Sequence, residues 1–316
     1  MNIYEQTIDY VSTLSIVPSW PELYALFTKA AITKPHDWQL PVLACEAVGG
    51  SIKEAIPAIA SIATLQASII LIDDMLDADP RGKHHDIGMP AAANLASALQ
   101  ALSLEAIHKS QTSYESKAIT MHSLGHMMAQ TALGQHWDTQ NWMDEDAYWQ
   151  VVRTKSSPFF GAALYVGATL GNADVKTAEE LMHIGHLYGE MIQIHDDLND
   201  TMAVPASPDW KLGRPSLPIL FTLTVPHPDR DRFDKLRLNV TDTDALREAQ
   251  TILLRCGAVS YCVDQIMSRY QETKVRLANI CLKRPEKIEE LLATVIDPVQ
   301  SLLQLVDANA SNTLFK

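Results

Sequence analysis

Apolar residues recur at helical spacing along nearly the whole chain, without the strict alternation typical of half-buried strands. Breaks fall at glycines and prolines, as at Gly49-Gly50, between Pro80 and Pro90, and between Pro205 and Pro218. The predicted helices are Asn2–Leu14, Trp20–Ala31, Ile52–Asp77, Ala91–His108, Ser116–Gln135, Asp144–Gly171, Lys176–Met202, Asp242–Cys256 and Val259–Cys281. With no βαβ unit, repeat or flexible linker, this pattern predicts one all-α bundle over residues 1–316.

Composition excludes several classes of function. Hydrophobic residues make up 47% of the 316 residues, which is ordinary for a globular protein, and the net charge of −13 disfavours a nucleic-acid partner. No uncharged apolar run reaches about 18 residues and the N-terminus lacks a signal-peptide pattern, so we expect no transmembrane segment. The scattered cysteines, with no CxxC pair, favour a reduced cytoplasmic location over structural zinc.

Two aspartate triplets share one spacing. Asp73, Asp74 and Asp77 end the apolar run before Pro80, and IQIHDDLND repeats the arrangement. Like charges at i and i+4 cost a helix about 0.2–0.5 kcal/mol per pair, and a helix C-terminus is the unfavourable end for anions. A single triplet is compatible with a solvated helix end. Two triplets, one after each apolar helix, predict facing carboxylates that bind Mg²⁺ and a diphosphate.

These motifs resemble the trans-isoprenyl diphosphate synthase (polyprenyl synthetase) family, most closely between about Leu40 and Thr222. The matching residues are Asp73, Asp74 and Asp77 for DDxxD; PRGK followed by GMPAAANLASAL; Gly134 to Asp138 for GQxxD; Lys155-Ser156 for Lys-Thr; Gln193, Asp196, Asp197 and Asp200 for QxxDDxxD; and DWKLGRPSLP for DxxxGKxTLP. The paired aspartate motifs in this order, with GQxxD and Lys-Ser between them, are highly specific.

The resemblance implies a single-domain isoprenoid-synthase-type bundle with a central cavity, a homodimer, and about three Mg²⁺ ions that bind an allylic prenyl diphosphate. It implies metal binding by Asp73, Asp74, Asp77, Asp196, Asp197 and Asp200, with Lys155 also catalytic. The diphosphate would be bound by Arg81, Lys155, Gln193, Lys211 and Arg214. The cavity would be lined by Gln66, Ser68, Ile69, Ser156, Phe159 and Phe160, where the small Ser68 suggests a pocket deeper than a ten-carbon chain requires.

The chain departs from the family mainly where isopentenyl diphosphate would bind. The family motif GKxxRP is replaced by KPHDWQLP, which puts Asp37 and Leu40 at the Lys and Arg positions. The family's Arg-Arg pair is reduced to Arg81, Pro208 replaces a basic residue, and Ile72 replaces a common His. Each lost charge-assisted contact to phosphate is worth about 1.5–3 kcal/mol. We therefore expect weak binding of a second diphosphate.

Three functions follow from this. The leading expectation is a terpene synthase, or prenyl transfer to an acceptor other than isopentenyl diphosphate. Aromatic rings would then stabilise the cation, with candidates Phe159, Phe160, Tyr165, Trp137, Trp142 and Trp149, although core packing more often explains aromatic residues on a bundle helix. The alternative is a chain-elongating synthase whose isopentenyl site is rebuilt around Lys34 or Lys53. A non-catalytic partner subunit is disfavoured because both aspartate motifs are kept.

Overall fold

The computed structural model describes residues 2–140, 143–207, 210 and 215–313, with side chains described as far as Val299. Within those ranges it contains helices and no strands, which confirms the predicted all-α class. The helices are α1 (Ile3–Ser12), α2 (Pro21–Thr33), α3 (Leu40–Ala47), α4 (Ile52–Leu76), α5 (His84–Ile87), α6 (Met89–His108), α7 (Tyr114–Asp138), α8 (Glu145–Lys155), α9 (Ser157–Leu170), α10 (Val175–Met202), α11 (Leu217–Thr224), α12 (Arg230–Arg237), α13 (Thr243–Arg255), α14 (Ala258–Ala278) and α15 (Glu286–Thr313).

Helix starts follow local capping chemistry. Ser51 and Glu54 form a reciprocal capping box at the start of α4, and the Asp242 carboxylate accepts a hydrogen bond from the Ala245 N–H at the start of α13. The predicted continuous helix over Asp144–Gly171 is wrong, because α8 ends at Lys155 and α9 begins at Ser157. Pro158 explains the break, since its ring lacks an N–H and would clash with the carbonyl of Thr154.

The chain divides into two compact units. Unit 1 comprises Met1–Thr131, Pro158–His186 and Leu277–Glu289. In unit 1 the long helix α4 packs against α6, α3 and α1, around a core that includes Phe27, Trp38, Ile59 and Leu99. Because α4 is apolar on nearly every face, it can be stable only as a buried helix, and the burial of residues 55–65 agrees with that.

Unit 2 comprises Ala132–Ser157, Leu187–Arg276 and Glu290–Lys316. Helices α11, α12 and α13 pack together there around Trp210, Phe233, Leu246 and Leu253, all of which are fully or nearly fully buried. The prediction that residues 1–316 form one domain stays a prediction.

Helix α4 is the one described helix long and apolar enough to cross a membrane. Its most apolar 18-residue window is 72% buried inside the protein, as in the core helix of a soluble protein. The length and composition of α4 are therefore only weak evidence that it spans a membrane.

Candidate active site

The first aspartate motif lies at the C-terminal end of α4. Asp73 and Asp74 occupy its last turn and are half-buried, whereas Asp77 caps the helix and is exposed. The Asp77 N–H donates to the Asp73 carbonyl at 2.9 Å, which keeps the residues at i and i+4 in helical register. Asp73 and Asp77 therefore project from neighbouring positions on one face of the helix.

Asp74 lies in an environment that disfavours the ionised form of its carboxyl. Burial raises the pKa of its carboxyl, and the negative charges of Asp79 and Asp73 raise it further, while His84 and the Lys83 N–H act in the opposite direction. The buried His84 leaves its Nδ1 without a hydrogen-bond partner. A bound cation would relieve the repulsion among these carboxylates.

The second motif lies near the end of α10 and divides by exposure. Asp196 and Asp200 are exposed, whereas Asp197 is only 5% exposed. The Asp197 Oδ2 atom accepts hydrogen bonds from the Tyr148 hydroxyl at 2.8 Å and from the Leu217 N–H at 2.7 Å. Asp197 therefore joins α10 to both α8 and the start of α11.

Gln193 extends the same network. Its Nε2 donates to Asp197 Oδ1 at 2.9 Å, and its Oε1 accepts from the Ser156 hydroxyl at 2.8 Å. Three protein donors thus surround one carboxylate. The predicted site residues Ser156, Gln193 and Asp197 are brought together by direct contacts, although their roles toward a substrate remain predictions.

Lys155 ends α8 and forms an ion pair with Asp138, the aspartate of the GQxxD motif, at 2.7 Å. Both side chains are largely buried, at 20% and 15% exposure. Gly134 allows this pairing, because a Cβ atom there would lie 2.3 Å from the Lys155 backbone nitrogen. The glycine of the motif therefore permits the close approach of α7 and α8 that brings Asp138 to Lys155.

Gln66, predicted for the cavity, is engaged by residues of the divergent KPHDWQLP segment. Trp38 Nε1 donates to Gln66 Oε1 at 3.1 Å, and Gln66 Nε2 donates to Asp37 Oδ2. Burial raises the pKa of Asp37, although His36 and the bond from Gln66 oppose the rise. An acidic group thus contacts Gln66 from the segment where the resemblance implies a lysine.

The other predicted cavity residues have different environments. Ser68 is fully buried and donates to the Ala96 carbonyl of α6 at 3.0 Å, so its hydroxyl takes part in helix packing. Ile69 is half-buried. Phe159 is buried and packs edge-on against the half-buried Phe160, with ring centroids 5.4 Å apart. Pocket depth and cation contact stay predictions for these residues.

The predicted basic residues are described only in part. Arg81 is 89% exposed in its side chain and pairs with Asp79 at 2.8 Å, and its hydrogen bonds lower the pKa of Asp79 to about 2. Lys211 and Arg214 lie outside the described residues, as does Trp142. Their predicted roles stay predictions.

Among the described residues, no three His, Cys, Asp or Glu side chains converge as a ready-made metal site. Mg²⁺ usually takes one or two carboxylates and completes its shell with water and phosphate oxygens. The accessible pairs at i and i+4, Asp73 with Asp77 and Asp196 with Asp200, supply hard oxygen ligands of that kind. The residues present therefore fit Mg²⁺.

Three further histidines lie beside the second motif or on α7. His195 Nε2 contacts the Val295 carbonyl at 2.9 Å, and His122 and His126 are exposed on α7. A pocket of about 860 Å³ in unit 1 is lined in part by Tyr10 and by Lys53, which the alternative hypothesis considers for a rebuilt isopentenyl site.

Tyr148 is a site residue that the sequence motifs do not reveal. It lies seven residues before Lys155 and 49 before Asp197, and no short motif contains both residues of that hydrogen bond. A tyrosine placed among aromatic and apolar residues is typical of a core position, so the only available signal was its place on the helix that carries Lys155.

Comparison with known proteins supports the resemblance. The Polyprenyl synthetase family model matches residues 38–253, and the chain belongs to that family. It is 28% identical to geranylgeranyl diphosphate synthase of Methanosarcina mazei over 78% of this chain and 79% of that protein. It is 26% identical to the short chain isoprenyl diphosphate synthase of Methanothermobacter thermautotrophicus, over 75% and 78%.

The fold has solved counterparts as well. The crystal structure of geranylgeranyl pyrophosphate synthetase from Pyrococcus horikoshii superimposes with a TM-score of 0.78 at 20% identity, covering 94% of each chain. The predicted isoprenoid-synthase-type fold is confirmed. The named relatives are prenyl diphosphate synthases, so they support chain elongation better than the leading expectation of terpene cyclisation.

Proposed function

We propose that this protein is a Mg²⁺-dependent prenyltransferase that ionises an allylic prenyl diphosphate and extends it with isopentenyl diphosphate. The observation that carries the proposal is the pair of aspartate motifs, each with two accessible carboxylates four residues apart near the end of a long helix. The relatives that are prenyl diphosphate synthases favour elongation as the fate of the allylic group.

Each proposed role follows from the side chain's chemistry. Asp73, Asp77, Asp196 and Asp200 would hold Mg²⁺, which when bound stabilises the negative charge of the departing diphosphate as a Lewis acid. Lys155, fixed by Asp138, would offer its ammonium group to the same diphosphate. The apolar rings of Phe159 and Phe160 are suited to excluding water from an allylic cation.

A product assay tests the proposal. Purified protein is incubated with geranyl, farnesyl or geranylgeranyl diphosphate and Mg²⁺, with and without isopentenyl diphosphate, and Asp196→Asn serves as the inactive control. Longer prenyl diphosphates that form only with isopentenyl diphosphate support elongation. A hydrocarbon or alcohol formed without it contradicts elongation and supports cyclisation, and no consumption of any substrate contradicts the whole proposal.

One observation favours a second candidate, transfer to an acceptor that carries no diphosphate. Asp37 contacts Gln66 in the segment that the resemblance assigns to isopentenyl diphosphate, and an ionised carboxylate there would repel that substrate. If the protein elongates, Asp37→Lys should lower the KM for isopentenyl diphosphate about tenfold or more, by adding a charge-assisted contact. An unchanged KM would show that the segment does not bind the second substrate.

We also propose a cytoplasmic homodimer. The described cysteines are free thiols, which suits a reducing compartment. Helix α6 exposes a row of small and polar residues, Ala91, Asn94, Ser97 and Ala101, at a spacing that permits close helix packing. Sedimentation equilibrium should give twice the monomer mass, and Ala101→Arg should reduce it to that of the monomer.

A further inference from the structure

We propose that Tyr148 is a positioning residue that fixes Asp197 as a buried organising carboxylate, so that Asp196 and Asp200 are the metal-facing members of the second motif. The inference rests on the proposed function only in assuming that this motif serves Mg²⁺ and a diphosphate. It assigns different tasks to three aspartates that look equivalent in the sequence.

The first step is the occupancy of the Asp197 carboxylate. Two carboxylate oxygens offer about four acceptor positions in total. Oδ2 accepts from Tyr148 and from the Leu217 N–H, and Oδ1 accepts from Gln193, at distances between 2.7 and 2.9 Å. A metal ion would have to displace a protein donor from Oδ2, or use the acceptor capacity that remains on Oδ1. Asp196 and Asp200 are exposed, so a hydrated metal ion can reach their carboxylates from solvent.

The second step is the rigidity of the tyrosine. Tyr148 is 3% exposed, and its ring packs edge-on against Trp149 with centroids 4.9 Å apart. The Arg269 guanidinium lies 3.9 Å from the centre of the Trp149 ring and is ion-paired with the buried Glu190 at 2.7 Å. Because these packed and paired groups restrict the ring, the hydroxyl is presented to Asp197 in a fixed direction.

The third step is what Asp197 in turn holds. Its bond from the Leu217 N–H fixes the first residue of α11, and a neighbouring bond of 2.7 Å joins the Thr201 and Ser216 hydroxyls. The end of α10, which carries Asp200, is therefore tied to the start of α11 through buried polar groups. Without the Tyr148 hydroxyl the Asp197 carboxylate keeps only two of these three donors, Gln193 and the Leu217 N–H, so the direction in which Asp196 and Asp200 project is less well fixed.

The experiment compares Tyr148→Phe with Tyr261→Phe. The Tyr261 hydroxyl also donates to a carboxylate, that of Glu145, but it makes no described bond to Asp197, so it controls for loss of a tyrosine–carboxylate bond. Binding of inorganic pyrophosphate is measured by calorimetry at a series of Mg²⁺ concentrations, and thermal melting checks that each variant is folded. Turnover is measured in parallel wherever the wild type is active.

Tyr148→Phe should shift the Mg²⁺ concentration for half-maximal pyrophosphate binding upward by about tenfold, the effect of losing one hydrogen bond to a charged group. Its kcat should fall while the KM for the allylic substrate changes little, and Tyr261→Phe should match the wild type in all three. Asp197→Asn should weaken pyrophosphate binding without changing the number of Mg²⁺ ions bound, whereas Asp196→Asn should lose one.

Several results would overturn the inference. A Tyr148→Phe variant with wild-type Mg²⁺ dependence would show that the hydroxyl does not position the motif. Loss of one bound Mg²⁺ in Asp197→Asn would show that this carboxylate is itself a ligand. A wild type that binds no Mg²⁺–pyrophosphate would contradict both the inference and the proposed function, whereas binding without turnover of prenyl substrates would contradict the proposed function alone.

Discussion

Replacing Glu190 with alanine should destabilise the protein more than most single substitutions, because it leaves a buried guanidinium without its partner. Glu190 accepts from Arg153 at 3.0 Å and from Arg269 at 2.7 Å. The Arg153 side chain is 59% exposed, so that pair contributes only about 0–1 kcal/mol. The Arg269 side chain is 9% exposed, and breaking a buried pair of this kind costs about 3–5 kcal/mol.

The other contacts of Arg269 place the expected cost at the lower end of that range. Its Nη1 still donates to the backbone and side-chain oxygens of Gln265, and its guanidinium still stacks on Trp149. We therefore expect a loss of about 3 kcal/mol in the free energy of unfolding for Glu190→Ala. This is a large share of the roughly 5–15 kcal/mol that holds a typical domain together.

Urea unfolding followed by circular dichroism measures this loss, with the slope against urea compared between variants to confirm that both unfold in the same way. Glu272→Ala is the matched control, since Glu272 pairs with Arg276 at the surface and its loss should cost about 0–1 kcal/mol. If the two variants were equally stable, the buried pair would not stabilise the fold as argued.

Two further predictions use single sites. Gly134→Ala should lower the melting temperature, because the added Cβ would lie 2.3 Å from the Lys155 backbone nitrogen. Gly125→Ala on the same helix is the control: its Cβ would meet nothing within 4 Å, so this variant should melt at or above the wild-type temperature. Equal melting temperatures for the two variants would contradict the packing argument. Because the pKa of Asp37 is raised in the folded protein, Asp37 contributes most to the free energy of unfolding when the pH is below the ordinary pKa of 3.8. This contribution is lost as the pH rises through the raised pKa. Asp37→Asn should flatten the dependence of unfolding free energy on pH in that window, and an unchanged slope would contradict the assignment.

The long helices could be predicted from the sequence because three or more turns of apolar periodicity leave little ambiguity. Four predicted helices agree closely with the structure, namely those that correspond to α1, α2, α4 and α13. The short helices α3, α5 and α11 were not predicted, because four to eight residues give too few repeats of the pattern. Helix α15 was not predicted either, although the buried residues of its first half, from Ile288 to Val299, recur at helical spacing.

The candidate site was predictable only as far as spacing determines it. The aspartates at i and i+4 are found from the sequence because helix geometry alone places them on one face. The partners of a side chain depend on packing between distant segments, so the bonds from Tyr148 and Leu217 to Asp197 could not be predicted. Ser68 illustrates the same limit, since a small residue before the first motif suggests an open pocket, yet its hydroxyl bonds to Ala96 on α6.

Helix geometry also determines how the three aspartates of each triplet are arranged around the helix axis. Residues at i and i+4 lie on one face, and the residue at i+1 lies about 100° around the helix axis. In the second motif this turns Asp197 into the protein, where three donors stabilise its charge, and leaves Asp196 and Asp200 exposed. In the first motif Asp74 is likewise the middle residue, and burial raises the pKa of its carboxyl while the Lys83 N–H supports its charge. The spacing DDxxD therefore turns the middle carboxylate of the second motif toward the protein and leaves its outer pair exposed, whereas in the first motif Asp73 and Asp74 are both half-buried and only Asp77 is exposed.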